Sequence, residues 1–432
     1  MQRLFLKTFA QTIFIAILCA CHTVHAVHAE PDEELLGKSQ SYPTGTAGSW
    51  YNNPYRVGSW SALDKVPGVQ TRVVPRAAKA RTLPRATESP EISYRYKNLS
   101  YTLADYLDRQ RVTGLLVLKN GEIAAEYYRY GRKEDARFLS FSMAKSVTSL
   151  LIGQALERGL IASLDDRADK YVTSLAGSPY GATTISQLLR MSSGLTFTER
   201  YDGTDDLARL SRARAGVLGA GKPVDVLRAI SKRHSPPGEK FVYASAESDV
   251  LGRVLNAATG KTIAEITSDW LWKPMGAEHD AFWRISTDGK EQSSGAFNAS
   301  LRDWGRLGLL LANDGRVDSR IDGKAGGRQL ISRDYLLNAT DPARQSAAFK
   351  PRKATPYFGY GYQFWLMPLK ERTFAMLGIH GQTVYVQPSS GLVLVLTSVW
   401  ESASGKQNPQ PLEERDALWR GVLSSLGGSS AE

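Results

Sequence analysis

Ser142 and Lys145 lie three residues apart in the mostly apolar stretch LSFSMAKSVTSLL, residues 139–151. Residues at this spacing are neighbours on a helix, so the serine hydroxyl and the lysine amine can share a hydrogen bond. At a helix N-terminus the free N–H groups stabilise negative charge, as the oxyanion of an acyl transfer requires. Apolar neighbours lower the pKa of the lysine and make it a candidate general base. The alternative is an N-cap serine beside a lysine that reaches solvent.

A second candidate group follows the turn formed by residues 236–238, Pro-Pro-Gly. Tyr243 comes shortly after this turn, and Ser245 stands two residues further on. Beside a Ser/Lys pair, the phenol of Tyr243 can pass a proton to the leaving group as a general acid. The alternative is a tyrosine that only packs in the core or at its rim.

A third candidate is the glycine-rich segment Gly378-Ile379-His380-Gly381. Glycines beside one polar residue let the backbone approach a ligand closely. A backbone N–H of this segment can therefore complete an oxyanion hole together with the N–H of Ser142. The alternative is an edge strand that is kinked by its glycines.

Other catalytic and metal-binding patterns are missing from the sequence. It contains no G-x-S-x-G nucleophile elbow, no phosphate-binding G-x-x-x-x-G-K-[ST] and no H-E-x-x-H. Beyond the first 29 residues the histidines are His234, His279 and His380, and none of them forms a ligand pair. We therefore expect no metal site and no cofactor, and the three histidines give little basis for a Ser-His-Asp triad.

The composition of the 432-residue chain is that of a globular protein. The 54 basic and 43 acidic residues give a net charge of +11. Basic residues cluster within 71–85, a segment that contains proline and alanine and lacks helical periodicity. We interpret it as a solvated linker and expect no nucleic-acid partner, because no basic helix or aromatic stacking motif accompanies it.

The first 29 residues have the pattern of an export signal: a charged start, an apolar run and small residues before Glu30. The apolar run is too short to favour a membrane span. We expect cleavage after Ala29 and a periplasmic or secreted protein. Cys19 and Cys21 both lie in this segment, so the mature chain would contain no thiol. The alternative is a lipoprotein anchored at Cys21, because LCAC at 18–21 approximates a lipoprotein cleavage box.

The elements that position these residues are strands near both chain ends and helices between them. Residues 30–92 are expected to form an extended arm, and residues 93–432 one catalytic domain. Strands at both ends predict an α+β fold, an α/β sandwich in which an antiparallel sheet is flanked by helices, with a helical subdomain in between. The predicted elements are strands at 115–118 and 123–130 around a hairpin turn at Asn120-Gly121, further strands at 357–366, 375–387 and 392–400, and helices from 143 to near Gly159, at 301–311 and at 411–426.

In this order, the S-x-x-K, Y-x-S and Gly-Ile-His-Gly motifs resemble those of the serine β-lactamase and penicillin-binding-protein superfamily. The phrase ISQLLRMSSGL at 185–195 and residues 381–393 also look like that family. The resemblance covers about 94–426. Its nearest branch is the 6-aminohexanoate-dimer hydrolases and class-C-like carboxylesterases. It implies a β-lactamase/transpeptidase-like fold.

The resemblance also implies roles for individual residues. Ser142 would be the acylated nucleophile, Lys145 its base and Tyr243 the proton shuttle. The backbone N–H groups of Ser142 and Ile379 would form the oxyanion hole. The residues that would contact substrate are Tyr201, Ser245, Asn298, Trp365 and His380.

Two departures from the family pattern bear on the substrate. Ser245 stands where many members have asparagine, and the K-T-G strand of penicillin-recognising members is missing. We therefore expect a hydrolase of small esters or amides rather than of antibiotics. The alternatives are a D-amino-acid peptidase, a penicillin-binding protein, a weak β-lactamase, or a non-catalytic binding protein of the cell envelope. The pattern favours no oligomeric state.

Overall fold

The computed structural model describes residues 29–317, 327–405 and 408–432, and the backbone of two short strands within 320–325. The predicted export signal, including Cys19 and Cys21, lies outside the described residues except for Ala29. Among the described residues, no helix is long and apolar enough to cross a membrane.

The described chain alternates short strands and helices. The strands are β1 (Thr71–Val74), β2 (Ser93–Tyr96), β3 (Leu99–Thr102), β4 (Val112–Lys119), β5 (Glu122–Tyr128), β6 (Phe138–Leu139), β7 (Ala281–Arg284), β8 (Phe297–Ala299), β9 (Arg316–Val317), β10 (Arg320–Ile321), β11 (Lys324–Ala325), β12 (Arg328–Gln329), β13 (Gly359–Tyr360), β14 (Trp365–Leu366), β15 (Phe374–Gly378), β16 (Gln382–Gln387) and β17 (Leu392–Ser398). The α-helices are α1 (Arg56–Trp60), α2 (Leu103–Arg109), α3 (Ala144–Glu157), α4 (Ile185–Leu189), α5 (Asp206–Arg214), α6 (Pro223–Ala229), α7 (Ser245–Thr259), α8 (Ile263–Ile266), α9 (Leu301–Ala312), α10 (Arg333–Thr340) and α11 (Gln410–Ser425).

A seven-stranded antiparallel sheet forms the centre of the fold, with the strand order β13-β14-β15-β16-β17-β4-β5. Strand β4 pairs with β17, so Leu115 lies opposite Leu396. This pairing joins the two ends of the domain in one sheet. It confirms the predicted antiparallel sheet and the hairpin of β4 and β5.

Side chains of β4 alternate between two hydrophobic cores, as the two-residue period of a strand requires. Leu116 and Leu118 face a large core that also contains residues of α3, α7 and α9. Leu115 and Val117 face a second core with residues of α2 and α11. Helices therefore cover both faces of the sheet, and the predictions of α3, α9 and α11 are confirmed.

Two segments predicted as single strands are each broken, so these predictions were wrong. Residues 357–366 form β13 and β14, and Gln363 between them has a φ of 63°. Residues 375–387 form β15 and β16, which are joined by a tight turn at His380, with a φ of 59°. Backbone in this left-handed region reverses the chain direction and ends a strand.

A smaller four-stranded sheet, with the order β1-β7-β8-β6, lies near the candidate catalytic residues. Its strand β1 comes from residues 30–92, and Thr71 pairs with Arg284 of β7. Its strand β6 ends three residues before Ser142. Further packing of residues 30–92 occurs in a third core, where Trp60 meets Phe141. This sheet therefore connects the N-terminal segment with the start of α3.

Candidate active site

Ser142 lies in a 3-10 turn, Phe141–Met143, between strand β6 and helix α3. Phe141 has a φ of 43°, a strained conformation for a bulky residue that costs about 1–3 kcal/mol and is typical of functional sites. The N–H of Ser142 belongs to the first turn of this helical run, where N–H groups have no intrahelical acceptor. The turn therefore presents a hydroxyl and a backbone donor at the same point.

Lys145 lies one turn further along and is 2% exposed. Its Nζ is 3.0 Å from Ser142 Oγ and donates to the backbone oxygen of Ser294 at 2.5 Å. Burial lowers the pKa of Lys145 from 10.5 to about 8. The amine is therefore neutral in about a tenth of the molecules at pH 7, far more than for an ordinary lysine, and in this form it can accept the serine proton.

Tyr243 lies next to both Ser142 and Lys145, just before helix α7. The Nζ of Lys145 is 5.0 Å from the centroid of the Tyr243 ring. This ring stacks on Trp365, with centroids 5.5 Å apart. Burial raises the pKa of Tyr243 well above its usual value, and a hydrogen bond with Ser142 acts in the opposite direction. The phenol is therefore protonated at neutral pH and can donate a proton.

Glu199 is a residue that the sequence reasoning missed. Its carboxylate accepts hydrogen bonds from the Ser245 backbone N–H at 2.8 Å, Ser245 Oγ at 3.0 Å and the Tyr201 hydroxyl at 2.7 Å. Negative charge at the N-terminus of α7 is favourable. Glu199 thus fixes the segment that carries Tyr243. The nearby Tyr201 was the only local signal, because the contact with Ser245 is long-range.

The end of strand β15 runs close to the chain segment that precedes Ser142. A Cβ added to Gly378 would lie 2.3 Å from the backbone oxygen of Ser140, so only glycine fits there. The next residue, Ile379, lines the cavities on both sides of Ser142. This close approach places the backbone of Gly378 and Ile379 next to the turn that carries Ser142.

Two cavities meet at Ser142, and Glu199, Tyr201 and Ile379 also contribute to both walls. We call the first, of about 340 Å³, the arginine cavity, and the second, of about 520 Å³, the aromatic cavity. Both volumes suit parts of small molecules. The arginine cavity is distinguished by Trp50, Tyr51, Arg214, Arg284 and Ser294. The aromatic cavity is distinguished by Phe197, Tyr243, Phe358, Trp365 and Trp400.

The predicted site residues Tyr201, Ser245 and Trp365 line these cavities, but Asn298 and His380 do not. Asn298 is fully buried in β8, where its Nδ2 donates to the backbone oxygen of Ala296 at 3.1 Å. The contact with substrate that the resemblance implied for Asn298 therefore has no support in its position.

His380 lies behind the cavity wall because of its left-handed backbone. Its Nδ1 donates to the backbone oxygen of Trp400 at 2.7 Å, and its Nε2 accepts a hydrogen bond from the Tyr51 hydroxyl. Burial lowers the pKa of His380 to about 4, so the ring is neutral. His380 therefore anchors the N-terminal segment through Tyr51 instead of facing the cavity.

A metal site does not emerge from the described residues, among which no group of three or more His, Cys, Asp or Glu side chains is arranged to hold an ion. The chemistry that the arrangement offers is proton transfer between a hydroxyl, an amine and a phenol, next to backbone N–H donors.

Comparison with known proteins places this chain in a family. The sequence model of the beta-lactamase family matches residues 99–416, well over half of the chain. The 6-aminohexanoate-dimer hydrolase of Paenarthrobacter ureafaciens is 28% identical over 374 residues, which cover 83% of this chain and 90% of that protein.

Solved structures share the fold of antiparallel sheets flanked by helices. A Bacillus anthracis protein, provisionally named a 6-aminohexanoate-dimer hydrolase, superposes with a TM-score of 0.75 at 23% identity and covers 88% of this chain and 99% of its own. An octameric penicillin-binding protein homologue from Pyrococcus abyssi gives a TM-score of 0.55 at 15% identity and covers 76% of each chain. The chain belongs to the beta-lactamase family of serine hydrolases and has its β-lactamase/transpeptidase-like fold.

Proposed function

We propose that this protein is an exported serine hydrolase that cleaves small esters or amides through an acyl-enzyme on Ser142. The observation that carries the proposal is the 3.0 Å distance between Ser142 Oγ and the amine of Lys145, whose pKa is lowered to about 8 by burial. The relative that is 28% identical is named a 6-aminohexanoate-dimer hydrolase, and an amide joins the units of such a dimer, which supports this substrate class. The basic test is whether the protein hydrolyses p-nitrophenyl hexanoate and whether a fluorophosphonate abolishes this activity.

Acylation begins with the transfer of the Ser142 proton to the neutral amine of Lys145. The oxygen of Ser142 then attacks the carbonyl carbon, and the carbonyl oxygen becomes an oxyanion. The backbone N–H groups of Ser142 and Ile379 stabilise this charge, and each donor of this kind contributes roughly 10²–10³-fold to the rate. The resulting tetrahedral intermediate lies at the junction of the two cavities.

The intermediate collapses when the leaving oxygen or nitrogen receives a proton. Tyr243 donates its phenolic proton to this atom and recovers one from the ammonium of Lys145, so that both groups return to their starting state. In deacylation the same pair removes a proton from water, which attacks the acyl carbon and releases the acid. Ser142 then regains its proton.

Replacing Tyr243 by phenylalanine removes the phenolic proton and keeps the ring that stacks on Trp365. We expect kcat/KM for p-nitrophenyl hexanoate to fall by about 10²-fold. The loss should be larger for ethyl hexanoate, because an alkoxide needs protonation more than p-nitrophenolate does. Parallel assays of both esters measure this difference. An equal loss for the two esters would contradict a role in protonating the leaving group.

Replacing Glu199 by glutamine should shift the pH dependence of the reaction. The carboxylate of Glu199 raises the pKa of Lys145, although burial is the larger influence and lowers it. Without this charge the pKa of Lys145 falls further, so the rising limb of kcat/KM moves below pH 8. A pH–rate profile of the variant, compared with that of Asp206→Asn on the nearby helix α5, measures the shift. A limb that stays in place would exclude coupling between Glu199 and Lys145.

The export part of the proposal rests on the sequence pattern of residues 1–29. Sequencing the N-terminus of the mature protein tests it, with Glu30 as the expected first residue. An intact N-terminus would remove export from the proposal and leave the hydrolase part unchanged.

A further inference from the structure

The arginine cavity contains a cation without a partner. Arg284, at the end of β7, is half-buried, and its side chain makes no hydrogen bond or ion pair with any residue in the described ranges. Its guanidinium carbon lies 5.4 Å from the centroid of the Trp50 ring. A guanidinium over an aromatic ring can keep its in-plane N–H donors free for an anion.

The neighbouring charges do not neutralise Arg284. Arg214 is already paired with Asp249 and donates to Ser294 Oγ at 2.8 Å. Burial, and then the like charge of Arg214, lower the pKa of Arg284 to about 10, so it is still protonated at neutral pH. A half-buried cation that has an aromatic ring and a second cation beside it, with no acid paired to it among the described residues, is unfavourable until an anion compensates it.

The acids of this cavity are committed to other contacts. The oxygens of Glu199 accept from Ser245 and Tyr201. Asp205 caps helix α5, where its Oδ1 accepts from the N–H of Ala208 at 2.8 Å, and its Oδ2 accepts from the N–H of Tyr201 at 3.0 Å. Arg284 is therefore the charged group of this wall whose side chain has no ion pair or hydrogen bond within the described residues.

Because the two cavities meet at Ser142, we expect each of them to hold one part of the substrate. Tyr243 lines the aromatic cavity, and as the general acid it must reach the leaving oxygen or nitrogen. The leaving group then lies in the aromatic cavity. We expect the acyl chain to enter the other cavity that meets Ser142, the arginine cavity, whose wall includes Arg284.

We propose that Arg284 binds a carboxylate at the far end of the acyl chain, so that the preferred substrates are monoesters or monoamides of dicarboxylic acids. This inference rests on the proposed acyl-enzyme at Ser142. A guanidinium can hold a carboxylate with two parallel hydrogen bonds. An acyl chain that ends in an ammonium group, as in the dimer of 6-aminohexanoate, meets a like charge instead.

Three p-nitrophenyl esters test the inference: those of adipic acid with one free carboxyl, of hexanoic acid and of 6-aminohexanoic acid. Their acyl chains have six carbons and differ at the end. We expect the wild-type protein to give kcat/KM for the adipate ester at least about 10-fold above that for the 6-aminohexanoate ester. In Arg284→Gln the ratio of adipate to hexanoate should fall by roughly 10- to 100-fold, and Arg284→Lys should restore part of it.

The control is Arg209→Gln, which removes an exposed arginine of α5 and should leave the ratio unchanged. Equal or higher activity on the 6-aminohexanoate ester in the wild type would overturn the inference, and this measurement needs no variant to fold. An unchanged ratio in Arg284→Gln would also overturn it. If the wild type hydrolyses none of the three esters, or Ser142→Ala hydrolyses them equally, the proposed function itself fails.

Discussion

Replacing Ser142 by alanine should lower kcat/KM for p-nitrophenyl hexanoate by at least about 10⁴-fold, because no other group can form the acyl-enzyme. The side chain is small and lies at a cavity, so the variant should fold normally. Initial rates measured with purified protein, with thermal unfolding as a check of folding, give the result.

The matched control is Ser146→Ala in the same helix. Ser146 is buried and donates to the backbone oxygen of Gln363 at 2.6 Å. Its loss should cost about 1 kcal/mol of stability and leave the rate within a few-fold of the wild type. A Ser142→Ala variant that keeps more than about a tenth of the activity would contradict the role of this hydroxyl.

Replacing Lys145 by methionine should lower kcat/KM by about 10³–10⁴-fold, because the serine then has no base. In the wild type, kcat/KM should rise with pH and level off above about pH 8, where the amine is neutral. The residual activity of the variant should lack this limb. Profiles from pH 6 to 10 measure both effects, and a variant that keeps the same limb would exclude Lys145 as the titrating group.

The same substitution should make the protein more stable at neutral pH. The pKa of Lys145 is about 8 in the folded chain and 10.5 ordinarily. Between these two pKa values the unfolded chain binds more protons than the folded chain, so wild-type stability rises with pH. Below pH 8 the folded chain bears the full cost of burying the charged amine. That penalty is worth roughly 3 kcal/mol. Part of the gain is offset by the lost hydrogen bond to Ser294, so we expect an increase of about 1–2 kcal/mol at pH 7 in urea unfolding.

The sequence predicts those parts of the fold that depend on local patterns. Buried runs around Asn120-Gly121 define the hairpin of β4 and β5, and the apolar run after Ser142 defines α3. The catalytic candidates could also be predicted from the sequence, because Ser142 and Lys145 are neighbours on one turn and the hydrogen bond between them is local. The order of three short motifs along the chain then indicated the protein family.

The remaining features depend on contacts between distant segments. Glu199 meets Ser245, and Arg284 meets Trp50, only after the chain has folded. Neither contact leaves a periodic signal in the sequence. The position of His380 depends on a single left-handed residue, which the strand pattern does not reveal. The proposed selection of substrate depends on these long-range contacts and could not be predicted from local sequence patterns.

Mass spectrometry of the protein after reaction with a fluorophosphonate tests the central claim most directly. Trypsin cleavage after Arg137 and Lys145 releases the peptide 138–145, which contains two serines. The proposed function predicts one adduct per chain, placed on Ser142 by fragmentation and missing from the Ser142→Ala variant. An adduct on Ser140 or on another peptide, or an unmodified chain, would contradict it.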